Sequence, residues 1–479
     1  MGVGLVPRVF TFAEQLRFAE LSGDHNPLHV DALYARRTRF GSPIVHGIHL
    51  LLGSLDALLD KPVQLFKLSA RFTLSVGISE PVTCRAVSSD STMMSFELES
   101  RGTRSAVINL EFGAHGGHTN MLPKILNGAP LPEPCSDLEP QDIRSASGQL
   151  DLFLDGEKAS ALFPQLMTNL PSGQIALLLA TSRLVGMRCP GRNSIYSQIH
   201  LSFGPPQPDD DPSLTWQAED FDNRFNLTTI SLSTSGATGT LKAFFRPPPQ
   251  QQPSTREIQS RVPARCFQQH RALVLGGSRG IGEVCAKILA AGGADVYLTY
   301  HRGSEDAARV VRDITSAGGS ARTFAFDVLG PSSALVTRLA PGWFPTHVYF
   351  FPTPSIFGRA VSGKFTHELF FSFYDFYVRG VTNVHNELRS ISNQPFEFFF
   401  ASSVAVNDPP TNMGEYAAAK AAGEMLCHFL SKTDRNLKVR VERLPRLPTD
   451  QTVDIYGTFP DESTVDVVGT LLQILSNRS

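Results

Sequence analysis

The sequence has no long hydrophobic run, little net charge and few cysteines, and each of these features excludes a class of protein. No run of about 18 apolar residues occurs, so we expect no transmembrane helix. The first residues are apolar, but Arg8 and Glu14 interrupt them too early for a signal peptide. A net charge of −2 gives no electrostatic reason to expect a nucleic acid or a membrane as partner. We therefore expect a cytoplasmic protein.

The cysteines are scattered and show neither a CxxC motif nor a spacing suited to metal ligands. This pattern predicts buried thiols in a reducing compartment and no metal site. Hydrophobic residues make up 42% of the chain and charged residues 18%, which is typical of a globular protein. The 6 cysteines are Cys84, Cys135, Cys189, Cys266, Cys285 and Cys427.

The chain of 479 residues is long enough for about three domains. Residues 129–147 are rich in proline and polar side chains, and residues 246–264 are richer still in proline and glutamine. Segments of this composition are typical of extended, semi-rigid linkers. They divide the chain into predicted domains at residues 1–128, 148–245 and 265–479.

The first block has one buried helix followed by a series of strands. Residues 46–59 are apolar around nearly the whole helix circumference, which is typical of a buried helix. Later runs alternate between apolar and polar residues, as strands with one covered face do. These runs are residues 65–72, 81–87, 94–99 and 105–112. The order predicts an α+β hotdog fold.

The second block repeats this order. Residues 175–186 indicate a helix, and strand-like runs follow at residues 194–203, 225–232 and 239–245. The two blocks together predict a double hotdog. His200 lies within an alternating strand, and we interpret it as a structural histidine.

A carboxylate and an imidazole lie five residues apart in the first block. They are Asp24 and His29 in the segment Gly23-Asp24-His25-Asn26-Pro27-Leu28-His29, ahead of the buried helix. Adding or removing water beside a thioester needs a base for the α-proton and an acid for the hydroxyl. It also needs donors on the thioester oxygen, and the amide of Gly47 at the start of the helix can supply one.

This segment, with Phe40-Gly41-Ser42-Pro43-Ile44-Val45-His46-Gly47 after it, resembles the MaoC-like, (R)-specific enoyl-thioester hydratase and dehydratase family over about residues 8–60. The resemblance implies that Asp24 and His29 are catalytic, and we place Asn26 and Gly47 on the oxyanion and substrate side. The second block has no such motif. We therefore predict that it is non-catalytic and serves as scaffold and acyl tunnel.

The third block opens with a short apolar strand, a glycine turn and the start of a helix. Glycines in such a turn let the backbone approach a pyrophosphate at the helix N-terminus. A later strand ends at Asp327-Val328, and Ser403 precedes a Tyr-Ala-Ala-Ala-Lys run from Tyr416 to Lys420. The turn carries the predicted cofactor-binding residues Gly276, Ser278, Arg279, Gly280, Ile281 and Gly282.

This set resembles the short-chain dehydrogenase/reductase family over about residues 268–450, which implies an α/β Rossmann-type, doubly wound parallel sheet. By that resemblance Tyr416 protonates a carbonyl oxygen as hydride arrives, and Ser403 hydrogen-bonds the same oxygen. Lys420 lowers the pKa of the tyrosine and holds the nicotinamide ribose. Asp327 and Val328 complete the predicted cofactor site.

Three positions depart from the pattern of that family. Leu275 stands where a threonine is usual, and Phe351-Pro352-Thr353-Pro354 replaces the usual Asn-Asn-Ala-Gly. Tyr377 falls where an asparagine normally holds the water of the proton relay. A tyrosine hydroxyl could substitute for that asparagine, or the water could be lost. A domain that binds cofactor without catalysis also stays open.

The choice of cofactor can be predicted from charge. NAD-specific members carry an acidic residue at the end of the second strand for the ribose hydroxyls. Here that strand, residues 295–302, ends without a carboxylate. Arg279 in the glycine turn and Arg302 after the strand are placed to pair with a 2′-phosphate, which predicts NADPH.

The two predicted sites act on successive groups of one substrate. A reductase turns a 3-oxo group into a 3-hydroxyl, and a dehydratase removes that hydroxyl to give a trans-2-enoyl thioester. We expect a bifunctional enzyme of fatty-acid or polyketide biosynthesis that acts on acyl carrier protein or CoA thioesters. Alternatives are hydration followed by oxidation, as in β-oxidation, and a scaffold subunit with one silent domain.

The third block also predicts self-association. Residues 368–377 form an unusually aromatic candidate helix, and the Tyr416 helix follows the active-site serine. In the reductases that this block resembles, these two helices form a four-helix bundle between subunits. We therefore expect at least a homodimer.

Overall fold

The computed structural model describes residues 7–114, 125–204, 212–331, 335–357, 363–452 and 466–476. They cluster into two compact units, one built mainly from residues up to 248 and the other mainly from residues 249 onwards. Within the described ranges, no helix has both the length and the apolar character needed to cross a membrane.

The first unit is built on a ten-stranded antiparallel sheet with two buried helices. The strand order is β1-β3-β4-β5-β2-β9-β12-β11-β10-β7, and β6 and β8 form a separate parallel pair. The strands are β1 (Arg8–Val9), β2 (Val63–Phe72), β3 (Pro81–Ser89), β4 (Met93–Ser100), β5 (Thr103–Ala114), β6 (Leu126–Asn127), β7 (Ser147–Asp151), β8 (Phe153–Leu154), β9 (Ser194–Phe203), β10 (Ser213–Asp222), β11 (Leu227–Thr234) and β12 (Ala237–Phe245).

Helices α4 and α8 of this unit are buried along most of their lengths, as the apolar runs predict. A π-helical turn, Leu184–Arg188, extends α8. The helices are α1 (Phe12–Ser22), α2 (Pro27–Val30), α3 (Ala32–Ala35), α4 (Gly47–Leu58), α5 (Pro140–Ile143), α6 (Gly156–Leu162), α7 (Pro164–Asn169) and α8 (Ser172–Arg183). The predicted double hotdog is confirmed, whereas the sequence analysis missed strands β7 and β10.

The two predicted hotdog domains are one body. Strand β2 pairs with β9 through five residue pairs, from Lys67↔Ser202 to Arg71↔Gln198. A division at residues 129–147 would leave both strands as unpaired edges, which sheets avoid. The predicted linker there is also hydrogen-bonded: Ser136 N donates to Met187 O at 2.9 Å. The separate domains 1–128 and 148–245, and a linker between them, are therefore corrected to a single unit.

The second unit is a six-stranded parallel sheet in the order β15-β14-β13-β16-β17-β18, which confirms the predicted doubly wound fold. The strands are β13 (Arg271–Leu275), β14 (Asp295–Tyr300), β15 (Ser320–Ala325), β16 (His347–Phe350), β17 (Phe396–Ser403) and β18 (Leu437–Leu444). The helices are α9 (Thr255–Gln259), α10 (Gly280–Ala291), α11 (Ser304–Ser316), α12 (His367–Tyr374), α13 (Val381–Ile391), α14 (Gly414–Thr433) and α15 (Val467–Ser476).

This unit begins earlier than the predicted residue 265. The buried ammonium of Lys287 donates to Pro253 O at 2.9 Å and pairs with Asp313, whose carboxylate also accepts from Thr255. A buried charge needs such partners, and the segment 246–264 supplies one of them. Its second half, with α9, is therefore part of the second unit and not a free linker.

Candidate active sites

The turn after α1 presents Asp24, and the short helix α2 presents His29. Gly23 caps the end of α1 in the left-handed conformation, with φ of 74°, and reverses the chain. The side chain of Asn26 caps α2 by accepting from Leu28 N at 3.0 Å, and Pro27 fills the first helical position. The sequence therefore folds locally so that Asp24 precedes the short helix and His29 lies within it.

Asn26 connects the two halves of the unit. Its side-chain amide donates to the carbonyl oxygens of Gly186 and Gly191, at 3.0 Å each. Both protons of a buried amide are thereby committed to backbone acceptors. Asn26 thus ties the Asp24 turn to the second half of the sheet, and its role toward a substrate stays a prediction.

Asp24 is surrounded by polar groups from both halves of the unit. The hydroxyl of Ser182 on α8 donates to Asp24 Oδ2 at 2.7 Å. His46 Nε2 lies 3.0 Å from Asp24 O and 3.6 Å from Asp24 Oδ2. A Cβ on Gly186 would lie 2.0 Å from Asp24 Oδ1, so only glycine leaves room there for the carboxylate.

The ring of His29 stacks on that of His46, the neighbour of Asp24, at a centroid separation of 3.9 Å. His29 Nδ1 is 2.8 Å from Ile44 O. Because a carbonyl oxygen can only accept, Nδ1 carries the proton and Nε2 is left as the basic nitrogen.

Burial sets the protonation of this pair. It raises the pKa of Asp24 to about 7, although the hydrogen bonds from Ser182 and Asn26 N oppose the rise. It lowers the pKa of His29 to about 4. Between these values Asp24 carries a proton and His29 is neutral. In this pH range Asp24 can therefore act as an acid and His29 as a base.

Gly47 is the first residue of α4, where backbone N–H groups point out of the helix. Within the described chain, the preceding His46 makes no side-chain cap to this helix end. A Cβ on Gly47 would lie 3.1 Å from the ring of Phe72. This position suits the predicted donor to a thioester oxygen.

Sequence reasoning missed Ser182 and Gly186 and assigned their module no part in the site. Ser182 lies 158 residues from Asp24 in the chain, so no local pattern connects them. The available signal was the polar run Thr181-Ser182-Arg183 directly after the apolar residues 175–180 of the same helix. The second module is therefore corrected from pure scaffold to a contributor of two residues that contact Asp24.

The second site begins at the glycine turn between β13 and α10. Gly276 and Gly280 have φ of 73° and 57°, which favours glycine. A Cβ on Gly282 would lie 2.3 Å from Gly276 O. Helix α10 begins at Gly280, so its N–H groups face the turn, which also carries Ser278 and Ile281. These features fit a dinucleotide pyrophosphate.

The predicted phosphate-binding residues lie around this turn. Arg279 Nη1 is 3.6 Å from the carboxylate of Asp450, which also accepts from Gln250 N at 2.8 Å. Arg302 follows the end of β14. The binding of a 2′-phosphate by Arg279 and Arg302 stays a prediction, and the sequence analysis missed Asp450 beside Arg279.

Asp327 and Val328 follow β15. Asp327 accepts from Leu329 N at 3.0 Å, and His301 Nε2 lies 3.6 Å from its carboxylate. Val328 is buried. Both lie after the carboxyl end of a parallel strand, where dinucleotides bind in this fold class.

Ser403 ends β17, and Tyr416 and Lys420 lie one turn apart on α14. Burial raises the pKa of Tyr416 to about 12, whereas the resemblance implies a lowered pKa, and the Ser403 hydroxyl acts against this rise. Burial lowers the pKa of Lys420 to about 7, and its Nζ donates to Ala401 O at 2.5 Å. The structure therefore brings the three predicted residues together.

The chain was compared with known proteins. Residues 4–105 match the family described as MaoC like domain, and residues 270–339 match the short chain dehydrogenase family. Over 46 residues, 10% of the chain, it is 54% identical to the (R)-specific enoyl-CoA hydratase of Aeromonas caviae, of which this covers 33%. Over 65 residues, 14% of the chain, it is 38% identical to the peroxisomal hydratase-dehydrogenase-epimerase of Saccharomyces cerevisiae, of which this covers 7%. The matches thus span a third or less of these relatives.

Solved structures similar to the chain include two short chain dehydrogenases. One, from Burkholderia cenocepacia in complex with NADP, is 26% identical with a TM-score of 0.37, covering 44% of this chain and 92% of that one. Another, from Escherichia coli CFT073 complexed with NADPH, is 21% identical with a TM-score of 0.36, covering 43% and 88%. From the two family matches, the chain carries a MaoC-like domain at its N-terminus and a short-chain dehydrogenase domain after it.

Proposed function

We propose that the protein is a bifunctional enzyme that reduces a 3-oxoacyl thioester and dehydrates the resulting 3-hydroxyacyl thioester. The observation that carries this proposal is that one chain holds two clusters of buried titratable side chains with shifted pKa values. Asp24 and His29 form an acid and base pair, and Ser403, Tyr416 and Lys420 form a second cluster. The product of the second cluster is the substrate of the first.

In the reduction, Tyr416 donates its hydroxyl proton to the C3 carbonyl oxygen, and Ser403 hydrogen-bonds the same oxygen. Lys420 sits one turn further along α14, where its ammonium stabilises the tyrosinate that forms. Bound NADPH would supply a hydride to C3. Gly276, Gly280 and Gly282 would accommodate its pyrophosphate.

In the dehydration, His29 Nε2 takes the α-proton from C2 of the thioester. The charge that develops on the thioester oxygen faces the amide of Gly47. The C3–O bond breaks, the electron pair from C2–H forms the double bond, and Asp24 donates its proton to the departing hydroxyl. Water and a trans-2-enoyl thioester leave, and the proton gained by His29 returns to Asp24 through solvent.

We infer NADPH as the reductant from charge. Strand β14 ends at Tyr300 and is followed by His301 and Arg302, so no carboxylate is placed there for ribose hydroxyls. Arg279 supplies a guanidinium at the glycine turn. A reduced phosphorylated cofactor favours the biosynthetic direction, and an acyl carrier protein or CoA would present the substrate.

The reverse direction, hydration followed by oxidation, is the second candidate. The 38% identity over 65 residues to the yeast hydratase-dehydrogenase-epimerase favours it. Activity with NAD and an enoyl-CoA that exceeds activity with NADPH and a 3-oxoacyl thioester would support this alternative.

The test uses the full chain with a 3-oxoacyl thioester on CoA or on an acyl carrier protein, and NADPH. We expect loss of NADPH absorbance and an enoyl product by mass spectrometry. Asp24→Asn should consume NADPH and accumulate the 3-hydroxyacyl thioester. Tyr416→Phe should consume no NADPH but still dehydrate a supplied 3-hydroxyacyl thioester. No turnover of either substrate by the wild type would instead favour a scaffold subunit.

A further inference from the structure

The ammonium of Lys420 lies against aromatic rings. Its Nζ is 3.9 Å from the ring centroid of Tyr377, 5.0 Å from that of Phe400 and 5.7 Å from that of Tyr416. A cation over a ring face is attracted to the negative face of the π-system, and this attraction strengthens where water is excluded. Lys420 is buried, so its charged form depends on such contacts.

Two departures from the family pattern meet at this point. Tyr377 replaces the usual asparagine, and Thr353 lies in the Phe-Pro-Thr-Pro run that replaces Asn-Asn-Ala-Gly. The hydroxyl oxygens of Tyr377 and Thr353 are 2.5 Å apart, although the residues are 24 positions apart in the chain. One unusual residue therefore hydrogen-bonds the other.

The surroundings fix the ring of Tyr377 in one orientation. Its side chain is 0% exposed and lies in the π-helical turn Asp375–Gly380 that joins α12 to α13. Phe373 stacks on it with a centroid separation of 6.1 Å, and Phe400 packs edge-on at 6.3 Å. The packing of Phe373 and Phe400 and the hydrogen bond with Thr353 therefore hold the Tyr377 ring with one face toward Lys420.

We propose that Tyr377, anchored by Thr353 and supported by Phe400, is a positioning residue that holds the Lys420 ammonium beside Tyr416. We call the rings of Tyr377 and Phe400, together with the anchoring Thr353, the aromatic platform. In this arrangement a ring face supports the lysine at the place where the family pattern uses an asparagine and its water. The kinetic part of the argument rests on the proposed reductase function.

The charged and titratable groups around Lys420 come from several elements. Tyr416, Glu424 and Cys427 share α14 with it, and Arg443 of β18 pairs with Glu424. Strand β17 contributes the Ala401 carbonyl and Ser403, and Tyr377 faces Lys420 from the turn after α12. Burial lowers the pKa of Lys420, whereas Glu424 and Cys427 act in the opposite direction. Removing the ring face should lower the pKa further.

The first experiment measures the Lys420 pKa in the protein without cofactor. The wild type and each Tyr377 variant are compared with the same protein carrying Lys420→Met, and thermal unfolding gives the difference in unfolding free energy from about pH 5 to about pH 10. This difference begins to change with pH at the folded-state pKa of Lys420, because above that pH only the unfolded state holds the proton. We call this point the break. We expect Tyr377→Leu to lower the break by about one pH unit. Tyr377→Phe, the matched control, keeps the ring but loses the hydroxyl that is bonded to Thr353, so it should lower the break by much less than Tyr377→Leu does.

The second experiment measures NADPH-dependent reduction by the same variants. We expect Tyr377→Leu to lower kcat by about tenfold or more with a small change in the KM for NADPH, because a displaced lysine impairs proton transfer by Tyr416. Tyr377→Phe should stay within about threefold of the wild type. Equal behaviour of the Leu and Phe variants in both experiments would overturn the proposal.

Two further variants keep the test decisive if Tyr377→Leu fails to fold. Thr353→Val removes the anchoring hydroxyl while leaving every ring in place, and Thr353→Ser retains it. We expect the Lys420 pKa to be lowered in the Val variant and unchanged in the Ser variant. Identical results in the two variants would contradict the platform. Absence of reductase activity in the wild type would refute the proposed function, whereas the pKa measurement would still test the platform.

Discussion

At the scale of single residues, the ionisation of Asp24 connects catalysis to stability. Its pKa is raised from 3.8 to about 7 by burial, so the folded protein binds this proton more tightly than the unfolded chain does. Stability from this group is therefore greatest in acid and is lost as the pH rises through about 7. At alkaline pH the folded state holds an ionised carboxylate that the unfolded chain would solvate better.

We expect Asp24→Asn to stabilise the protein at high pH while abolishing dehydration. The gain should reach about 4 kcal/mol at pH 9 and fall to less than half of that value at pH 5, since one pKa unit corresponds to about 1.4 kcal/mol. Thermal unfolding of the full chain at both pH values measures it. Asp142→Asn, which changes an exposed carboxyl on α5, is the control and should shift neither midpoint. A variant less stable than the wild type at pH 9 would refute the raised pKa.

Ser182 should tune the same carboxyl. Its hydrogen bond to Asp24 Oδ2 favours the ionised form, so Ser182→Ala raises the pKa of Asp24. The alkaline limb of the pH profile of dehydration should move up by about one unit, the expected effect of losing a hydrogen bond to a charged group. Ser54→Ala removes a comparable buried hydroxyl on α4 that bonds only within its helix in the described structure, at Leu50 O. An equal shift in both variants would argue against the assignment.

At the scale of elements, we expect the loop after β18 to influence the choice between NADPH and NADH. It places Asp450 3.6 Å from Arg279, the guanidinium that we expect to bind the 2′-phosphate. A carboxylate there competes with the phosphate for the same cation and repels it. We therefore expect a weaker preference for NADPH than Arg279 alone would provide.

We expect Asp450→Asn to tighten NADPH binding by about threefold to tenfold and to leave NADH binding nearly unchanged. Conversely, Arg279→Ala and Arg302→Ala should each weaken NADPH by roughly tenfold, with little effect on NADH. Isothermal titration with both cofactors gives the ratios. Glu397→Gln, in β17, serves as the control. An unaltered NADPH to NADH ratio in the arginine variants would exclude the phosphate assignment.

The elements also show which features of the fold and of the sites a local sequence pattern can predict. The Asp24 and His29 turn, the glycine turn and the Tyr416 helix were predicted because each is a short contiguous segment with its own spacing. The β2 and β9 pairing, Ser182 and the Thr353 to Tyr377 contact were not, because each joins residues that are distant in the chain. Such contacts depend on tertiary packing, which no periodicity encodes.

At the scale of the whole molecule, exposed apolar side chains on α12 and α14 bear on association. Phe371 is 56% exposed, and Met425 and Phe429, one helical turn apart, are 68% and 59% exposed. Clustered exposed apolar groups of this kind mark interaction sites. A second copy of this chain is the partner that the sequence analysis predicts for these helices.

We expect a dimer by light scattering at micromolar concentration. Met425→Glu with Phe429→Glu should shift it to a monomer, because two carboxylates would be buried at the interface without partners. Ile391→Glu, at the exposed end of α13, is the matched control and should leave the dimer intact. A wild-type monomer with full reductase activity would contradict this prediction.

The continuous ten-stranded sheet determines where the chain can be cut or recombined. Separating the halves near residue 140 would expose β2 and β9 as open edges and would remove Ser182 and Gly186 from the Asp24 carboxyl. Fragments made there should aggregate, and chimaeras that exchange one half should lose dehydration even with the motif intact. A cut near residue 248, at the boundary between the compact units, leaves the sheet whole. Transfer of the dehydratase site to another protein therefore requires both halves of the sheet together.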